Sequence, residues 1–143
     1  ANHTLWAWGM NKSGQLGDGS TRDKRSPTRI GKDANWISVA VAHSHSAGIK
    51  ADGSLWVWGN NRFGQLGDDT ADSHPSPVRI GTGDKWVSVS LGSSHSLGLK
   101  ADGSLWSWGR NDDGQVGDGP KNRRYAPVPI RTEACREAHG APD

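Results

Sequence analysis

Lys100-Ala-Asp-Gly-Ser-Leu-Trp-Ser-Trp-Gly109 and, one residue on, Asn111-Asp-Asp-Gly-Gln-Val-Gly-Asp118 decide the architecture of this chain. The same run stands at Lys50 to Asp68, and a more divergent copy at Ala1 to Asp18. Residues 49–69 and 99–119 align without a gap and are identical at 14 of 21 positions. The offset is fifty residues throughout: Trp6, Trp56 and Trp106; Gly14, Gly64 and Gly114; Ile30, Ile80 and Ile130. A fixed period of this size marks a repeat architecture. In such an array each unit buries its apolar face mainly against its neighbours.

Within a unit the pattern is that of strands. Leu5-Trp-Ala-Trp8 puts two Trp on one face and Leu5 and Ala7 on the other, so this strand lies between two layers. Trp36–Val41 and Trp86–Leu91 alternate in the same way. Asp52-Gly53 and Asp102-Gly103 each separate two alternating runs, the strongest short signal for a hairpin. It predicts that His45–Lys50 pairs antiparallel with Ser54–Gly59. A glycine-rich segment follows, then a polar loop, then a short strand at Ser26–Ile30 whose Pro27 belongs at a strand start or sheet edge. Four short strands per unit, with no helical periodicity, describe an all-β chain built from the four-stranded antiparallel blades of a β-propeller.

Residues 1–31 then hold the last two strands of one blade, 32–81 a complete blade and 82–130 another. After Ile130 the period fails: Arg136 stands where Trp36 and Trp86 would recur. Residues 131–143 are read as a non-repetitive tail, expected to be disordered. About two and a half units suggest a piece of a longer array, its remaining blades supplied by a longer chain or by oligomerisation.

Bulk composition narrows the function classes. The chain has 143 residues and only 32% hydrophobic ones, but eight Trp concentrate the apolar surface. A net charge of +2 is too mild to demand a polyanionic partner. The single cysteine, Cys135, lies beyond the repeats, so no disulfide forms within the chain. No apolar run is long enough to span a membrane.

Repetition also sorts the candidate residues. A catalytic constellation is needed once, whereas packing and turn residues are needed in every blade. Trp6, Trp8, Trp36, Trp56, Trp58, Trp86, Trp106 and Trp108 therefore read as core, and Gly64 and Gly114 as turn formers. His45 and His95 share one repeat position and read as structural, hydrogen-bonding across a turn. His43 is matched by Ser93 and reads as exposed. Asp18, Asp68 and Asp118 follow glycine in each unit and suit capping of loop N–H groups. No ligand set for zinc or calcium converges, no Lys-Ser/Thr follows the glycines as a phosphate loop requires, and no nucleophile–base pair is evident. The expectation is a non-enzyme with no metal and no cofactor.

What differs between units is where specificity can live. The loop after the glycine segment reads Ser-Thr-Arg-Asp-Lys-Arg at 20–25, Thr-Ala-Asp-Ser-His-Pro at 70–75 and Pro-Lys-Asn-Arg-Arg-Tyr at 120–125. Arg22, Lys24 and Arg25, with Lys121, Arg123, Arg124 and Tyr125, form the candidate partner-binding set. Phe63, an exposed-looking aromatic in a glycine-rich loop, is a candidate anchor. Met10, Asn60 and Arg110, with Ser13, Phe63 and Asp113, vary beside them. Another protein is the expected partner, and nucleic acid the alternative.

Trp-x-Trp-Gly, then Asn-x-x-Gly-Gln-Leu-Gly-Asp, Pro-x-x-Ile and Val-x-x-Gly-x-x-His-Ser-x-x-Leu closely resemble the regulator of chromosome condensation repeat. Trp56–Asp68, Pro77–Ile80 and Val89–Leu99 carry the resemblance, which covers Leu5 to Ile130. Ala42 departs from it, standing where the family usually has Gly. The resemblance implies a seven-bladed ring whose face loops bind other proteins. Its founding member promotes nucleotide exchange on a small nuclear GTPase and docks on chromatin, using an inserted β-wedge for which fifty-residue spacing leaves no room. The regular unit looks more like bacterial secreted or surface members, including inhibitors that cap β-lactamases.

Overall fold

A computed structural model describes residues 2–83 and 85–131, so the assigned tail lies, Arg131 apart, outside the described residues. Ten strands and no helix make up the described chain. They are β1 (Leu5–Gly9), β2 (Lys24–Ile30), β3 (Trp36–Val41), β4 (His45–Lys50), β5 (Leu55–Gly59), β6 (His74–Ile80), β7 (Trp86–Leu91), β8 (His95–Lys100), β9 (Leu105–Gly109) and β10 (Arg124–Pro129). The sheets are β1-β2, β3-β4-β5-β6 and β7-β8-β9-β10, each antiparallel and in chain order. This is the all-β propeller-blade arrangement that the period implied.

The Asp-Gly hairpin forms as its sequence dictates. His45 pairs with Gly59 and Ile49 with Leu55. Asp52 Oδ1 accepts from Ser54 N–H at 3.0 Å and from Ser54 Oγ at 2.6 Å, so the turn is closed by its own side chain. These two bonds hold the exposed Asp52 carboxyl below its ordinary range.

Neighbouring sheets pack face to face, β7 lying against both β3 and β4. One core joins Ala47, Ile49, Leu55 and Val57 of the second sheet to Trp86, Val89 and Trp108 of the third. A second core joins Leu5 and Ile30 to Trp36 and Trp58. Trp36 meets Trp58 edge to face at 5.9 Å, and Trp86 meets Trp108 at 5.8 Å.

Two expectations need correction. Trp6 and Trp8 are not core: Trp6 is 49% exposed where its counterparts Trp56 and Trp106 are half-buried, and Trp8 is 59% exposed where Trp58 and Trp108 are 3% and 0% exposed. The buried pair is covered by the glycine loop of the preceding sheet, and no such loop lies before β1 among the described residues. Second, 20–25 and 120–125 are not wholly loop. Lys24 and Arg25 belong to β2, and Arg124 and Tyr125 to β10.

Candidate functional site

The glycine loops that link each third strand to its fourth form both the joints of the structure and its most variable surface. Each is organised by a fully buried asparagine that sequence reasoning left inside a motif: Asn11, Asn61 and Asn111. Asn61 Nδ2 donates to Asp68 Oδ1, Thr70 O and Asp72 O, each at 2.9 Å, while its Oδ1 accepts from Leu66 N–H at 3.0 Å. Two N–H groups are thus shared among three acceptors and the amide oxygen takes a fourth loop group, which is why a polar side chain is tolerated there.

The loop then grips the next sheet. Gln65 O accepts from Trp108 Nε1 at 2.9 Å and from Ser96 Oγ at 2.7 Å. Gln15 O takes the equivalent pair, Trp58 Nε1 at 2.9 Å and Ser46 Oγ at 2.7 Å. Gly17 and Gly67 form the floor under the two indoles: a Cβ at Gly67 would stand 2.7 Å from Trp108 Nε1. The position therefore needs glycine for close approach as well as for its φ of +79°.

Asp18, Asp68 and Asp118 close the same loops and pair with the residue six positions on. Asp18 meets Lys24 at 3.5 Å, Asp68 meets His74 at 2.6 Å, and Asp118 takes Arg124 Nε. Burial works to raise the Asp18 carboxyl, but bonds from Ser20 and Asn11, with the charge of Lys24, hold it below its ordinary value. Asp68 is likewise held low against the effect of burial, by His74, Thr70 and Asn61. Lys24 and Arg124, candidates for a partner, are thus turned to their own loops. The sequence signal was available, since positions 24, 74 and 124 all carry a cation or an imidazole.

The histidines also act between sheets. The turn bond is made by backbone, Ala42 N–H to His45 O at 2.9 Å, while the His45 ring lies 3.1 Å from Ser96 Oγ of the next sheet. Burial, then the nearby His95, lowers the His45 pKa to about 4, so it stays neutral. Burial also lowers His95, which is only half-buried. His43 is exposed, and among the described residues no three His, Cys, Asp or Glu side chains converge on a possible metal position.

Of the remaining candidates, Arg22, Arg25 and Lys121 are exposed. Tyr125 lies across Gly64, its ring 2.7 Å from where a Cβ would stand. Phe63 and Arg123 meet directly, the guanidinium 4.7 Å from the ring centroid. Two arginines outside the candidate set join them over the same ring, Arg110 at 5.5 Å and Arg62 at 5.7 Å. Asp112 bridges the group, 3.0 Å from Arg110 Nε and 3.6 Å from Arg123 Nε. The cluster straddles the loops of the second and third sheets.

Comparison with known proteins places these features in a family. The sequence profile of the Regulator of chromosome condensation (RCC1) repeat matches residues 2–49, 52–99 and 102–137. The structure resembles Prp20p from Saccharomyces cerevisiae, whose binding to Gsp1p and histones has been described, with TM-score 0.80 and 28% identity over 93% of this chain and 35% of that one. Human WBSCR16 superposes with TM-score 0.81 and 28% identity over 95% of this chain and 37% of that one. A sequence relative, Ras guanine nucleotide exchange factor C of Dictyostelium discoideum, is 42% identical over 45 residues, 30% of this chain and 3% of that protein. The chain thus spans about a third of the length of these solved structures.

Proposed function

Because the chain belongs to the regulator of chromosome condensation repeat family, we propose that it is a non-enzymatic scaffold that binds another protein through the loop face of its blades. One observation carries this reading: the loop segments after the glycines differ in chemical kind from copy to copy, while the groups that build the joints recur at fifty-residue intervals. Trp58 and Trp108 do one job against Gln15 and Gln65, and Asn11, Asn61 and Asn111 are buried in every copy. Arg22, Arg25 and Lys121 are exposed and, like Phe63 and Arg123, are unmatched in kind between copies. Surfaces free of packing duty are where recognition is built on a rigid scaffold. Arg and aromatic side chains are the types that dominate binding energy at protein interfaces.

The test is affinity capture from cell extract with the wild-type chain beside a variant whose 110–113 and 120–125 segments carry the residues of 60–63 and 70–75. The expected result is a protein retained by the wild type and lost by the variant at equal folded content. Equal retention by both would sink the reading. Duplex DNA bound with a steep salt dependence would also replace a protein partner with phosphate contacts.

A second reading, regulation of a small GTPase, draws support from the Gsp1p binding of Prp20p and from the name of the Dictyostelium relative. Faster release of a fluorescent guanine nucleotide from a Ras-type GTPase would favour it.

A further inference from the structure

The surroundings of Phe63 are where the fifty-residue rule breaks most sharply. In the first two units a side chain at one position caps the buried asparagine's backbone: Asp23 Oδ1 accepts from Asn11 N–H at 2.8 Å, and Ser73 Oγ from Asn61 N–H at 3.1 Å. The third unit has Arg123 there, which offers no acceptor. The cap is given up, and the guanidinium stands over Phe63 instead. Position 60 shows the same exchange. Asn60 Oδ1 braces its own loop by accepting from Arg62 N–H at 2.8 Å and Gln65 Nε2 at 3.3 Å, whereas Arg110 reaches outward to Asp112. Phe63 replaces Ser13 of the first unit and Asp113 of the third. Two substitutions that forgo loop bonds, at 110 and 123, converge with Phe63 from separate loop positions on one spot, and packing alone gives no reason for it.

We propose that this cluster is the recognition centre of the loop face and that it takes a carboxylate-rich segment of a protein partner. This rests on the protein-binding reading above and names the chemistry of the partner. Three guanidiniums gather round one ring with a single carboxylate, Asp112, between two of them, so two positive charges are left without a counter-charge in the cluster. Arg110 and Arg123 are both partly exposed. Planar guanidinium forks match carboxylates in pairs of hydrogen bonds. Nucleic acid fits less well. The guanidiniums already occupy the ring of Phe63 on which a base would stack.

The probe is a fluorescein-labelled ten-residue peptide of alternating glutamate and serine, titrated at low and physiological salt beside a five-phosphate oligothymidine. Arg123→Ser installs the residue of the second unit and so restores the cap; it is expected to leave Tm unchanged or raised while weakening peptide binding at least tenfold. Phe63→Ser should weaken it several-fold. Lys12→Ser and Lys32→Ser, which remove equal charge at exposed positions elsewhere, should change it less than twofold. Three results would overturn the inference: equal weakening by the Lys12 and Lys32 variants, tighter binding of the oligothymidine, or no peptide binding below millimolar concentration. If a captured protein is still lost by the loop-exchanged chain but kept by Arg123→Ser, this inference fails while the scaffold reading stands.

Discussion

Trp8 and Trp108 occupy the same place in the repeat, in the same Trp-x-Trp-Gly context, yet one is 59% exposed and the other fully buried. Nothing local separates them. The difference lies in what the previous unit offers: a Gln carbonyl to accept the indole N–H and a glycine flat enough to lie beneath the ring. A tryptophan here becomes core only when a neighbouring blade completes its environment. Stability in such an array is a property of joints as much as of units.

The sharpest way to break that comparison is to truncate both rings. Trp108→Ala removes a fully buried indole, its edge-to-face contact with Trp86 and its bond to Gln65 O. It should destabilise the chain by about 3–5 kcal/mol. Trp8→Ala should change stability by no more than about 0.5 kcal/mol, as expected of an exposed site. Urea unfolding followed by circular dichroism checks both. Similar losses from the two variants would mean that Trp8 is covered in solution.

The histidines pose the same contrast in the language of pH. His45 is sealed by the following blade, and its pKa falls to about 4, whereas the unfolded chain would bind a proton near 6.5. Between those values the unfolded state holds the extra proton. The contribution is therefore fully present above about pH 6.5 and lost as the pH falls toward 4, amounting to about 3 kcal/mol. Below pH 4 this group adds nothing further, and losses there belong to the low-lying carboxylates Asp18, Asp52, Asp68 and Asp102. His95 shifts in the same direction from shallower burial and should contribute the smaller part of the slope. Urea midpoints from pH 7 to 4 should fall for the wild type and flatten for His45→Gln. An unchanged slope in that variant would assign the titration elsewhere.

How far all this could be read in the sequence follows from the same distinction. The blade was legible because each strand and hairpin is specified by its own residues: alternation in Trp36–Val41, and an Asp-Gly turn at 52–53. The state of each joint was not, because Trp8 and Trp108 differ only in their neighbours. Of the binding candidates, Phe63 and Arg123 were visible as breaks in the repeat, but their meeting was not, since it depends on how one blade is set beside the next. Lys24 and Arg124 carry the opposite lesson: the ion-pair partner of each lies six residues back in the same loop, at Asp18 and Asp118, a pairing that a run of loop charge does not display.

The comparison can finally be narrowed to a single methyl group. Gly67 and Gly117 hold one repeat position with nearly the same backbone, φ +79° and +81°, so alanine incurs a similar left-handed strain at either. Only the first lies under an indole: a Cβ at Gly67 would stand 2.7 Å from Trp108 Nε1, whereas at Gly117 nothing comes within 4 Å. Backbone strain should therefore cancel between Gly67→Ala and Gly117→Ala. What remains is overpacking at the joint, expected to make the first variant less stable than the second by about 1–3 kcal/mol. The difference in their urea midpoints reads that quantity directly. Should the two variants prove equally destabilised, the joint would have room to slide apart by a methyl radius. The close seating of Trp108 on its glycine floor would then contribute little to holding the blades together.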